Sequence, residues 1–199
     1  TVVEPDNRWQ NLRDMHELYC AGHLIEASVA YYQGTGKRKL LDVMCRYVDY
    51  IDTVFGSDPR QMHGYAGHEE IELALVKLYK VTGRTRYLDL AKHFVEERGR
   101  KPNYFDLEAR ARGEDLDRNN SRDNDYYQSH LPVREHTTAE GHAVRAVYLY
   151  SGMADFAAET GDIELFEACK RLWKNVTERR MYVTGGICSS SHGERLTYD

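Results

Sequence analysis

Apolar residues return along this chain at three- and four-residue steps, in stretches set apart by proline. Met15, Leu18, Gly22, Ile25, Val29 and Tyr32 form one such stripe, and Tyr87, Leu90, Ala91, Phe94 and Val95 form another. That spacing is the mark of a helix with one buried face. Helices are predicted over 10–34, 37–55, 67–82, 85–99, 137–160 and 162–179. Pro5, Pro59, Pro102 and Pro132 all fall between these stretches, as residues that break helices should.

A repeat organises the helices. Thr35-Gly36, Thr82-Gly83 and Thr160-Gly161 each end one stretch and open the next, and Leu40-Leu41-Asp42, Tyr87-Leu88-Asp89 and Leu165-Phe166-Glu167 follow them. Glycine accepts the left-handed conformation that closes a helix, and so short a link returns the next helix antiparallel. Three helical hairpins result. The intervals between Thr-Gly pairs are 47 and 78 residues, the second lengthened by a loop over 100–135. The fold class expected is all-α, with antiparallel hairpins stacked side by side.

Gly22-His23, Gly67-His68 and Gly141-His142 lie in or just before the first helix of each pair. Taken singly, each could be a satisfied core histidine beside a glycine that lets helices approach. If the first helices form an inner layer, all three imidazoles converge on one cleft, where they could bind sugar hydroxyls or carry protons.

Composition narrows the classes. The net charge is −5 and the 27 Lys and Arg are interspersed with 32 acids, which argues against nucleic acid. The cluster of Arg110, Arg112, Arg118 and Arg122 is mixed with acids and reads as a solvated loop. No apolar run approaches the roughly 18 residues that a membrane span needs. The start reads as neither a signal peptide nor a natural beginning. Cys20, Cys45, Cys169 and Cys188 lack CxxC spacing, and three lie in helical stretches. Buried reduced thiols and a reducing, cytoplasmic compartment fit best. The sequon Asn175-Val176-Thr177 lies in a helix and reads as chance.

Other chemistry is thinner. His16, Cys20 and His23 share a helical face, but a zinc site would need a fourth ligand. Neither a nucleophile elbow nor a dinucleotide fingerprint is present. Gln128, His130, Arg134, Glu135, His136 and Glu140 crowd before an apolar helix and suggest a cleft wall. Glu194, following Gly193, reads from its surroundings alone as a surface acid.

Several longer segments resemble glycoside hydrolase family 127, the β-L-arabinofuranosidase family. They are Tyr19-Cys20-Ala21-Gly22-His23-Leu24-Ile25-Glu26-Ala27, Gly67-His68-Glu69-Glu70-Ile71-Glu72-Leu73-Ala74, Pro132-Val133-Arg134-Glu135, Gly141-His142-Ala143-Val144-Arg145-Ala146, Tyr148-Leu149-Tyr150-Ser151-Gly152-Met153-Ala154-Asp155 and Tyr182-Val183-Thr184-Gly185-Gly186. The resemblance runs from Arg8 to Asp199. It implies a partial (α/α)6 barrel over 1–199, incomplete at both ends, in a retaining enzyme that removes terminal β-L-arabinofuranose from plant-type glycans. About twelve helices close such a barrel and six or seven are expected here, so the piece alone should be inactive.

By the same resemblance Glu194, in Gly193-Glu194-Arg195-Leu196-Thr197-Tyr198-Asp199, is the general acid/base. His142, His68 and His23 contact the sugar, with His63 and His16 as neighbouring competitors. The implied nucleophile is a cysteine thiolate held on zinc by further Cys and one Glu, all downstream, so this chain supplies no metal ligand. His136 stands where the family suggests Gln. The implied partner is an arabinofuranosyl glycan, with no nucleic acid or membrane, and a homodimer of the full-length enzyme is allowed. The chemistry is coherent, since retention needs one group to protonate the leaving oxygen and a second to attack the anomeric carbon. The acid must keep its proton near neutral pH. Two other readings stand beside this one: an α-solenoid interaction module with an open polar face, and another (α/α)-barrel carbohydrate enzyme such as an epimerase.

Overall fold

The computed structural model describes residues 4–115 and 123–196, and the regular structure among them is helical. The elements are α1 (Glu17–Thr35), α2 (Lys39–Val54), α3 (Ile71–Thr82), α4 (Thr85–Glu97), α5 (Tyr104–Ala111), α6 (Ala143–Thr160) and α7 (Ile163–Asn175), the last continued by a π-helical turn over Val176–Arg180. Arg118, Arg122 and Thr197-Tyr198-Asp199 lie outside the described residues.

The Thr-Gly repeat does what its chemistry predicts. Gly36, Gly83 and Gly161 adopt φ of 69°, 69° and 70°. Their amides return to the carbonyls of Tyr32, Tyr79 and Ala157. Each threonine hydroxyl donates one turn back, Thr35 to Tyr31, Thr82 to Leu78 and Thr160 to Phe156, at 2.6–2.8 Å. The helix end is therefore satisfied from within, and the next helix starts within a few residues.

α2 backs α1, α4 backs α3 and α7 backs α6, while α3 packs between α1 and α6. The first members of the hairpins thus form one row and the second members another. Close approach in the first row needs small residues. A Cβ on Gly152 of α6 would sit 2.9 Å from Cβ of Glu72 and 3.1 Å from the Leu73 amide of α3.

Three helices start later than periodicity predicts. Residues 10–16, 67–70 and 137–142 are irregular because their backbone groups bond to other segments. Glu108 of α5 accepts the amides of Leu12 and Arg13, and the Gly67 amide donates to the Leu12 carbonyl at 2.9 Å. α5 itself was not predicted. It is one short helix, capped by the Asn103 side chain on the Phe105 amide, and it buries only Phe105, Glu108 and Ala109.

Arg98, at the end of α4, ties these parts together. Its guanidinium is fully buried and meets Glu69 at 2.8 Å and Glu72 at 3.2 Å. It also donates to the carbonyls of Tyr127 and Ala66 and lies over the Tyr65 ring. A buried charge is tolerated only when it is paired and hydrogen-bonded in this way. The effect is to fix the 66–72 segment on which His68 sits. No helix among the described residues is long and apolar enough to cross a membrane.

Candidate active site

The three Gly-His pairs reach one cleft by different routes. His23 lies in the second turn of α1, His68 three residues ahead of α3, and His142 is the N-cap of α6. Their unequal offsets to the Thr-Gly turns follow from this. The His68 and His142 rings are 5.7 Å apart between centroids. Tyr19 of α1 lies 4.3 Å from His68 and 4.4 Å from His23. Tyr148 of α6 lies 5.9 Å from His68 and 6.0 Å from His23. His16 joins the group, 5.8 Å from His68. His63 does not, facing Glu97 and His93 instead.

Hydrogen bonds fix the tautomers. His68 Nδ1 is 3.0 Å from the Glu69 carbonyl oxygen, which can only accept, so Nδ1 carries the proton and Nε2 is bare. Burial, helped by the charge of Arg145, lowers this imidazole to about 4, and it is neutral at physiological pH. His142 is the reverse. Its Nδ1 accepts the Arg145 amide at 3.2 Å, so the proton sits on Nε2 and is donated to Glu194 Oε2 at 2.9 Å. Burial and Arg145 hold His142 below its usual range despite the carboxylate.

Glu194 is delivered by a tight turn. Gly193 and Glu194 have φ of 71° and 46°. The left-handed region is unfavourable for glutamate, and such strain concentrates at functional positions. The Glu194 carbonyl accepts the Ala143 amide at 2.9 Å, and the Leu196 amide donates to Gly141 at 2.8 Å. Two of the orphan amides at the start of α6, those of Ala143 and Arg145, are therefore satisfied by the two candidate residues themselves. Arg195 anchors the turn on Asp123 and Asp125 and lies 4.9 Å over Tyr126. The Glu194 side chain remains 72% exposed, on the open side of the cleft.

The polar segment before α6 braces the cleft more than it walls it. Gln128 is fully buried and donates to the carbonyls of Tyr126 and Glu140. Arg134 bridges Glu96 of α4 and Asp162 ahead of α7, and Glu140 pairs with Arg180. His136 stacks on His130 with centroids 4.5 Å apart and bonds the Leu131 carbonyl. Asn175 of the sequon accepts the Ala139 amide.

The four thiols are free, and none joins a metal-sized group among the described residues. His16, Cys20 and His23 do not form one together. Among the described residues the one grouping of three such ligands is His23, Glu26 and Glu70, with one atom from each within 4.8 Å of the others. Sequence reasoning passed over Glu26 and Glu70, which are distant in the chain, and over Tyr19, Tyr148 and Arg145. Only Tyr19, four residues before His23 on α1, had a local signal. Arg145 is buried with its guanidinium 4.7 Å and 4.8 Å from the Tyr126 and Tyr127 ring centres.

This geometry can be set beside known proteins. A "Non-reducing end beta-L-arabinofuranosidase" of Bifidobacterium longum subsp. longum is 43% identical over 197 residues, which are 96% of this chain and 30% of that protein. The crystal structure of a GH127 β-L-arabinofuranosidase from Geobacillus stearothermophilus superposes with a TM-score of 0.95 at 58% identity, covering 98% of this chain and 31% of that one. A second structure, a GH127 β-arabinofuranosidase, gives a TM-score of 0.82 at 40% identity over 98% of this chain and 28% of its own. The chain therefore spans under a third of the length of these relatives. The family described as beta-L-arabinofuranosidase, GH127 catalytic domain, matches residues 1–198, and the chain belongs to that family.

Proposed function

We propose that this chain is part of the catalytic domain of a retaining glycoside hydrolase that releases terminal β-L-arabinofuranose, with Glu194 as general acid/base. The observation that carries the reading is the Glu194 carboxylate, held 2.9 Å from His142 at the rim of imidazoles and tyrosines drawn from all three hairpins. The names of the relatives supply the sugar.

Each residue has a role that fits its geometry. His142 fixes one oxygen of Glu194 through Nε2–H, leaving the other free to hold or deliver a proton. In the first half of the reaction that proton goes to the leaving glycosidic oxygen, and in the second half Glu194 takes one from water. The bare Nε2 of His68 accepts a hydrogen bond from a sugar hydroxyl, and His23 lies beside it for a neighbouring hydroxyl. Tyr19 and Tyr148 supply flat apolar surface between the imidazoles. The zinc and thiolate nucleophile implied by family resemblance do not fit this chain's own cysteines: Cys45 is buried in the core, and Cys20 and Cys188 are exposed and ungrouped. No step above passes through them.

The hairpins are read as part of an (α/α)6 barrel. An apolar groove of about 630 Å³ along Met15, Cys20, Leu24 and Tyr47 supports this on one flank. Another of about 400 Å³ along Val147, Ala154, Phe166 and Trp173 supports it on the other. Exposed apolar surface of this kind is what further helices would cover.

The test is an assay of the full-length protein on an aryl β-L-arabinofuranoside, with and without a zinc chelator. Release of aryl alcohol that the chelator suppresses is expected. No release would reject the reading in favour of the solenoid or epimerase alternatives.

A further inference from the structure

Beside His23 lies an acid pair that no step above uses. Glu26 is one turn further along α1, and Glu70 stands immediately before α3 with its side chain fully buried. Gly22 makes room for it, since a Cβ there would fall 2.6 Å from Glu70 Cγ. His23 Nδ1 is 3.4 Å from Glu70 Oε1. Lys77, two turns along α3, ion-pairs with Glu26.

Two carboxyls this close do not both ionise unless cations compensate them. Among the described residues the cation seated on the pair is Lys77, and it sits on Glu26. Burial, and then the neighbouring Glu26, push Glu70 up to about 9. Burial works against ionisation of Glu26 as well, but its hydrogen bonds to Lys77 and Glu70 hold it below the usual carboxylate range. At neutral pH the pair thus holds one proton. Glu70 is the member that carries it, and its two oxygens are buried with no other hydrogen-bond partner, one of them 3.4 Å from the His23 ring.

We propose that Glu70 is a positioning residue: buried against Gly22 and beside Glu26, it accepts Nδ1–H of His23 and so leaves Nε2 of that imidazole bare. His23 then matches His68, and two neighbouring rings present acceptors to vicinal hydroxyls of one sugar. A site with two fixed acceptors selects ligands that bring two hydroxyl donors, and it disfavours deoxy or O-methyl analogues there. The consequence for the sugar rests on the reading of His23 as a sugar contact. The tautomer does not.

The same three groups could instead hold a divalent cation, which would require Glu70 ionised, so the two ideas predict opposite behaviour of its amide isostere. The experiment compares full-length wild type, Glu70→Gln and Glu70→Leu, by kcat and KM on the aryl β-L-arabinofuranoside. It also reads the imidazole nitrogens of ¹⁵N-histidine-labelled protein by NMR, with His23 assigned by difference from His23→Asn. Glutamine can accept from Nδ1–H and donate to Glu26. Glu70→Gln should therefore keep KM within about threefold and preserve the Nδ1–H tautomer. Glu70→Leu should raise KM about tenfold, with a smaller change in kcat, as expected for one lost hydrogen bond, and should lose the single tautomer.

Equal damage from Gln and Leu would overturn the proposal in favour of an ionised Glu70. A His23 resonance of the Nε2–H form in wild type would overturn it even if the leucine variant does not fold. A tautomer that shifts in Glu70→Leu without any change in KM would support the positioning role while rejecting His23 as a sugar contact.

Discussion

His142 receives the Arg145 amide on Nδ1 and gives its Nε2–H to Glu194, so its two ring nitrogens serve different structures. Substitutions can separate them. Asparagine is a good N-cap and should keep the start of α6, whereas it cannot reach Glu194 with a second donor. His142→Asn is expected to lower kcat about tenfold or more with stability within a few tenths of a kcal/mol of wild type. His142→Ala should lose a similar factor and also about 1 kcal/mol in denaturant unfolding. Equal stability of the two variants would contradict the capping role. The three histidines were legible as a recurring pair with glycine, but their proton positions were not, because the partners are backbone atoms that only the fold supplies. Glu194 looked like a surface acid, and at 72% exposure its side chain is one in this chain. Family resemblance, not local pattern, singled it out. Glu70 was hidden for the opposite reason: its significance lies in His23 and Glu26, which meet it from α1.

The hairpins were legible because their signal is local. Threonine closes each helix end by bonding one turn back, and the following glycine turns the chain, so two adjacent residues carry the whole instruction. Helix starts were misplaced because they are decided at a distance. Apolar periodicity runs on into 67–70 and 137–142, but those amides and carbonyls are taken by other loops. α5 escaped notice since a two-turn helix with one buried acid shows hardly any stripe. Arg98 gave no sign of its place either. Nothing nearby in sequence announces that Glu69, Glu72 and two loop carbonyls will close round its guanidinium.

Across the whole molecule, burial of imidazoles sets a pH response. Burial lowers His68, His93 and His136 each to about 4, against about 6.5 in an unfolded chain. Between those values the unfolded state binds more protons, so these groups make stability fall on acidification from 6.5 toward 4. The buried acids, Glu70 among them, run the other way, so a difference measurement is cleanest. His136→Gln removes one such imidazole and can still donate to the Leu131 carbonyl. Relative to that variant, wild type should lose up to about 1.4 kcal/mol per pH unit below 6.5, measured by denaturant midpoints across that range. A constant difference with pH would contradict the assignment. The wider claim is that the row of α1, α3 and α6 brings three imidazoles to one carboxyl that does acid–base work on a sugar. It is tested most directly by Glu194→Ala in the full-length protein. Turnover of an aryl β-L-arabinofuranoside should fall at least about 10²-fold while binding of the sugar survives, and near-normal turnover would contradict the account.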